Sequence, residues 1–163
     1  MCILPGMKPA TICNEILGKE KTAAVLEELS SPQIKAILKE GAVKVKVPGG
    51  YVSRQKKRRV WSTRVTNAIA EGESHDMAAE LLQQWLLNHR RPMLIAFLNH
   101  LGAEHLQGET DDSFLLVASK DRILESAEHL LKTHDRAEVI GYLLYIAFQQ
   151  KSAVFDDWDE LAK

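Results

Sequence analysis

Six cations crowd into eleven consecutive residues of the sequence: Arg54, Lys56, Lys57, Arg58, Arg59 and Arg64, with no acid among them. Like charges at this density repel one another, and they are accommodated by a polyanion, an acidic surface or water. The chemistry they offer is electrostatic rather than covalent. Each Lys or Arg set against a phosphate releases a counterion, so log K falls with log salt by about 0.9 per phosphate on duplex DNA. Just upstream, Lys44 and Lys46 alternate with Val43, Val45 and Val47 and add two more cations. These eight residues form the expected nucleic-acid-binding set, acting as phosphate contacts and not as readers of bases. Two competing readings stand beside it: a solvated face, and pairing with acids of the same chain or of a partner protein.

Residues suited to other chemistry do not assemble into recognisable patterns. All six histidines (His75, His89, His100, His105, His129 and His134) fall in one stretch, and neutral imidazole is a common metal ligand. Their spacing does not follow a zinc motif: no HExxH occurs, and His100 and His105 are separated by Gly102. His89 and His134 continue apolar stripes to helix C-termini, where an imidazole can serve the last carbonyls. His100, Glu104 and His105 are the sharpest metal alternative, as the centre of a metal-dependent hydrolase. No GxSxG, GxxxxGK[ST] or GxGxxG is present. The acidic clusters Asp111-Asp112 and Asp156-Asp157…Asp159-Glu160 read as helix caps and solvated faces. The second of these, with Phe155 and Trp158, also reads as a docking segment for the basic run. No catalytic residue, metal ligand or cofactor is assigned, and the sequence leans away from an enzyme.

The bulk numbers set the frame. At 163 residues, 45% apolar and 26% charged, the chain has the composition of a globular protein with a core of its own. Its net charge of −1 hides a split. Residues 1–70 carry 13 Lys/Arg against 5 Asp/Glu, and residues 71–163 carry 8 against 17. Such asymmetry suggests a basic binding region or two mutually attracted halves, within one molecule or between copies in a homo-oligomer. Cys2 and Cys13 are too few for a disulfide framework and read as free thiols. The longest apolar stretch, Val139–Phe148, is too short to span a bilayer, which needs about 20 helical residues. With neither a basic n-region nor a long apolar h-region at the N-terminus, a cytoplasmic protein is expected.

The elements that must position the cations are helices. Apolar residues recur at helical spacing over Thr11–Leu17, Lys21–Leu29, Pro32–Glu40, Met77–His89, Pro92–Leu101, from Ser119 or Asp121 to Thr133, and over Arg136–Gln150. Gln55–Ala70 reads as helix in its second half, with Trp61, Val65, Ala68 and Ile69 on one face. A wheel begun at Arg54 sets Arg54, Lys57 and Arg58 on that same side, so the helix either starts near Arg59 or projects its first turns beyond the core. Phe114–Ala118 cannot be assigned by period, and Asp156–Leu161 reads as a short last helix. The period changes to two at Val43–Val47, and Pro48-Gly49-Gly50 supplies a turn toward Tyr51-Val52. Two short helices followed by a strand and a glycine turn resemble a winged helix-turn-helix, with Gln33, Lys35 and Lys39 facing outward. The two-residue joint Ser30-Ser31 and the lack of a certain first strand depart from that pattern, and a plain helical hairpin explains the same residues.

The expected fold is therefore mainly α: a multi-helix orthogonal or bundle-like array around a buried central helix at 136–150, with one small β-hairpin near 43–53. A small basic helical module, 1–53, would precede a helical core domain, 54–163. The expected core holds Leu26, Ile37, Trp61, Leu81, Trp85, Phe97, Leu98, Leu130, Leu143 and Ile146. The leading expectation is a non-enzymatic protein that binds nucleic acid or another polyanion. The alternative is a protein-interaction or assembly module built on the charge-asymmetric halves, and neither reading involves a membrane.

Overall fold

The computed structural model describes residues 7–41, 54–72, 74–110 and 113–163. The chain is mainly α-helical, with no strand among the described residues beyond an isolated bridge between Leu106 and Glu109. The hairpin expected at 43–53, with Lys44 and Lys46, lies outside the described residues. No helix among the described residues is long and apolar enough to cross a membrane.

One compact unit comprises Pro9–Trp85. It opens with a single α-helical turn, α1 (Pro9–Thr11), which runs into a π-helical stretch, Ile12–Leu17. Gly18 closes that stretch at φ 80°, a conformation that costs a residue without Cβ little. The sequence marks Gly18 as a stop, yet α2 (Gly18–Glu28) starts from it at once. The buried Thr22 hydroxyl donates to the Cys13 carbonyl at 3.0 Å, beside the Gly18 N–H that the same carbonyl accepts. Helix α3 (Ser31–Glu40) begins at a full capping box: Ser30 Oγ accepts from the Gln33 N–H, and the Ser30 N–H donates to Gln33 Oε1 at 2.8 Å. Gln33 is thereby engaged locally, not held outward for a ligand. Helix α4 (Arg54–Ala70) packs on α2 and α3 and on the π-helical stretch, and its last turn is secured by Asn14 Nδ2 donating to the Ile69 carbonyl at 2.9 Å. Helix α5 (His75–His89) is capped by Ser74, whose Oγ accepts from the Met77 N–H, and not by Asp76 as its position suggests.

The second unit comprises Leu86–Lys163 with Met7 and Lys8, so the division falls inside α5. Pro92 occupies the first turn of α6 (Arg91–Leu101), and Gly102 ends it in the left-handed region at φ 79°. The unassigned apolar run becomes a single turn, α7 (Phe114–Val117), which packs on α9 (Arg136–Gln150). Between them α8 (Lys120–Leu131), capped by Ser119, packs on α6 and α9. Ten consecutive residues of α9, Glu138–Ala147, are buried, as expected for a helix apolar on every side. The one acid among them, Glu138, accepts from Arg90 Nε at 3.0 Å and Nη2 at 2.9 Å, so its charge is buried with a partner. Phe97 meets Tyr142 edge-on at 5.7 Å and Phe114 at 6.2 Å, anchoring α6, α7 and α9 to one another.

Of the ten residues expected in the core, nine are buried. The exception is Trp61, which is half-buried.

Candidate functional site

The cationic run lies on α4, which packs on α3 within the first unit. The helix starts at Arg54, the first cation of the run, and not near Arg59. Its opening turns are awkward on their own terms. Lys56 and Arg59 stand three apart, and like charges at that spacing repel on a helix surface. The first turn carries no acid, so its cations also oppose the positive end of the helix dipole.

The packing resolves part of this. The inner cation is neither displaced from the helix nor thrust beyond the core. Arg58 is half-buried, and its Nη2 donates to the carbonyls of Leu26 at 3.0 Å and Glu27 at 2.9 Å. Those carbonyls lie in the last turn of α2, where the dipole is negative and a guanidinium is favoured; the Leu26 carbonyl also accepts the Leu29 N–H at 3.3 Å. The bonds orient Arg58 without neutralising it, because carbonyls carry no net charge. Arg59 and Arg64 are exposed, as is Lys56, while Lys57 is half-buried. Among the described residues, no carboxylate lies within ion-pair distance of Lys57, Arg58, Arg59 or Arg64. Helix α3 adds exposed Lys35 and Lys39, one turn apart, and the Lys35 ammonium sits 4.9 Å from the centroid of the Trp61 ring. Lys35 and Trp61 belong to the site, and of the two only Lys35 carried a sequence signal, through its outward position on α3.

Two of the four acids offered as mates for these cations, Asp157 and Glu160, are engaged elsewhere. Asp157 accepts from Lys120 Nζ at 2.7 Å, and that hydrogen bond and charge hold its carboxyl below the usual range. Glu160 accepts from Lys163 Nζ at 2.7 Å and from Arg136 Nη1 at 2.8 Å, and these two partners, Lys163 foremost, depress its carboxyl likewise. Arg136 also donates to the Glu160 carbonyl. Phe155 and Trp158 are buried against each other with ring centroids 5.4 Å apart, so neither aromatic is displayed for docking.

The histidines of the metal alternative are held apart. His105 accepts the Gly108 N–H on Nδ1 at 3.0 Å, which makes Nε2 the proton-bearing nitrogen that donates to Asn99 Oδ1 at 2.7 Å. Both of its ring nitrogens are therefore engaged. The Ser126 hydroxyl donates to the Arg122 carbonyl and so receives a hydrogen bond from His100 Nδ1 at 2.8 Å. His100 stacks on His129 rather than facing Glu104, with ring centroids 4.3 Å apart. Among the described residues, no group of three or more His, Cys, Asp or Glu side chains converges on a point. Cys13 is a buried free thiol, and burial pushes its pKa up to about 12, which removes it as a nucleophile at neutral pH. No known protein family, curated protein or solved structure matches this chain.

Proposed function

We propose that this protein is a non-enzymatic binder of nucleic acid, contacting phosphates through the cationic face of α4 and α3. The observation that carries the reading is the absence, among the described residues, of any carboxylate paired with Lys57, Arg58, Arg59 or Arg64. A helix that opens on consecutive cations with no acid in its first turn is relieved by an external anion, through the charges and the helix dipole together. Arg59 and Arg64 supply exposed donors, Lys56 and Lys57 flank them, and Arg54 stands at the first position of the helix. Lys44 and Lys46, which lie outside the described residues, are proposed as further phosphate contacts. The test is binding to DNA and RNA oligonucleotides across a salt series: micromolar or tighter affinity at about 50 mM salt with a steep negative slope supports the reading, and no binding at that salt removes it.

The second reading, assembly of copies through oppositely charged halves, draws on the same unneutralised cations and the acid excess after residue 70. It is weakened by Asp157 and Glu160, which already hold cations of their own unit. Light scattering at low and high salt separates the two, since electrostatic self-association loosens as salt rises.

A further inference from the structure

Trp61 is out of place for a tryptophan at a core spacing. The chain has three tryptophans, and Trp85 and Trp158 are 0% and 5% exposed. Trp61 shares its helical face with Val65, which is fully buried, yet its own indole remains half-exposed. Cations flank it on α4 and α3. Lys57 lies one turn before it and Arg64 one turn after it on α4, at i−4 and i+3, with Cβ separations of about 5–6 Å at such spacings. From α3, Lys35 places its ammonium over the ring at 4.9 Å.

We propose that Trp61 is a stacking platform for an unpaired base, so that the nucleic acid held by α3 and α4 is single-stranded. The proposal rests on the phosphate-binding reading above and adds what that reading leaves open. Proteins that follow a single strand combine cations that track the backbone with an aromatic face on which a base stacks. Here both parts occur on one helical stripe, Lys57–Trp61–Arg64, with the cations flanking the ring as phosphates flank a base. Lys35 fits the same scheme. Its contact with a partly exposed ring is weak and is given up when a base takes the indole face, which frees the ammonium for a phosphate. A duplex offers the cations its phosphates but presents no unstacked base to the ring, and heparin offers charge with no base at all.

The experiment uses the full chain and its own fluorescence, because Trp61 is the solvent-accessible emitter of the three. Oligo(dT), oligo(U), a mixed-sequence duplex and heparin are titrated separately. Both single strands should quench and shift the tryptophan emission, while duplex and heparin bind with little change in it; the oligo(dT) and oligo(U) arms report whether DNA or RNA is preferred. Trp61→Leu should weaken single-strand binding roughly 5- to 150-fold, with duplex and heparin affinity within twofold and an unchanged salt slope, and Trp61→Phe should retain most of the single-strand affinity. Single strands that bind without altering the emission, or a Trp61→Leu chain that loses all four ligands equally, overturn the platform while leaving phosphate binding intact. Failure of all four ligands to bind wild type sinks the underlying reading as well. Should Trp61→Leu fail to fold, the wild-type emission comparison still decides.

Discussion

Replacing Arg58 with alanine separates the two roles that the basic run has been given. Its guanidinium reaches the Leu26 and Glu27 carbonyls at 3.0 and 2.9 Å, the first bond partly buried and the second exposed. A hydrogen bond to a charged group contributes about 1.5–3 kcal/mol net when shielded, and the exposed bond counts for much less because water replaces it. A cation at a helix C-terminus adds about 0.3–1 kcal/mol. Against these stands the side-chain entropy of an ordered arginine, up to about 2 kcal/mol. The balance is a loss of about 1–2 kcal/mol in Arg58→Ala, and for a chain of this length each kcal/mol moves Tm by roughly 2–4 °C. Thermal unfolding followed by circular dichroism should therefore show a drop of roughly 5 °C. Arg58→Lys should recover only part of it, since an ammonium does not present the same planar fork to two carbonyls. Arg59→Ala is the control: an exposed side chain with no carboxylate partner among the described residues should leave stability within about 0.5 kcal/mol. A Tm within 1 °C of wild type for Arg58→Ala would refute the claim that this residue caps α2, and the whole run would revert to a solvated or ligand-facing role.

Three further expectations follow from other parts of the molecule. Arg59→Ala and Arg64→Ala should each reduce the salt slope of oligonucleotide binding by about 0.7–0.9 and weaken all sequences alike, as read from a salt titration. In a Cys2→Ser chain, Cys13 should resist alkylation at pH 8 and react only as fast as the protein opens, because its buried thiol is shifted up to about 12; rapid modification under native conditions would contradict its burial. The carboxyls of Asp157 and Glu160 are depressed in the folded state, so their contribution to stability is present above the ordinary carboxylate range (~3.9–4.3) and is lost as pH falls through their lowered values. Lys120→Met combined with Arg136→Met should accordingly be less stable than wild type near pH 6 and indistinguishable from it in strong acid, by urea midpoints.

The helical pattern was legible because each signal was local. Ser30, Ser119 and Asp135 do cap their helices, and Gly102 ends α6 in the left-handed region as its place after the last apolar residue implies. Where the reading erred, the competing force was tertiary. Asp76 has the right type for a cap, but Ser74 is the residue whose oxygen reaches the Met77 N–H. The π-helical stretch at Ile12–Leu17 has no periodic signature distinct from an α-helix over six residues, and its Cys13 carbonyl takes a second donor from Thr22, nine positions away. Phe114–Val117 spans barely one helical turn, too few repeats for a period to show, and its packing on α9 accompanies its assignment as helix. Trp61 was assigned inward from its helical face, and that face is indeed buried at Val65. Facing the core and being covered by it are different conditions, and the second depends on what the neighbouring helix brings, in this case Lys35.

The basic run itself shows why charge is harder to read than apolarity. Burial of an apolar side chain follows from its own period, whereas the fate of an arginine depends on which carbonyls lie within its reach. Arg58 reaches the end of α2, Arg122 Nε donates to the Leu101 carbonyl at the end of α6 at 2.8 Å, and Arg91 Nε donates to the Leu87 carbonyl at 3.0 Å. Each of the three arginines thus meets a carbonyl in the last turn of a helix, Arg58 and Arg122 from another helix and Arg91 from just beyond the end of the helix it meets. The helical wheel sets Arg58 on the inner side and leaves Arg59 off it, but that Arg58 ends on carbonyls is decided by α2. One position of rotation turns a guanidinium from a structural cap into an exposed charge. A dense run of cations on a single helix therefore cannot be wholly structural: at 100° per residue, only a few of its members can reach any one helix end, and the remainder are left on surfaces that face solvent or a ligand.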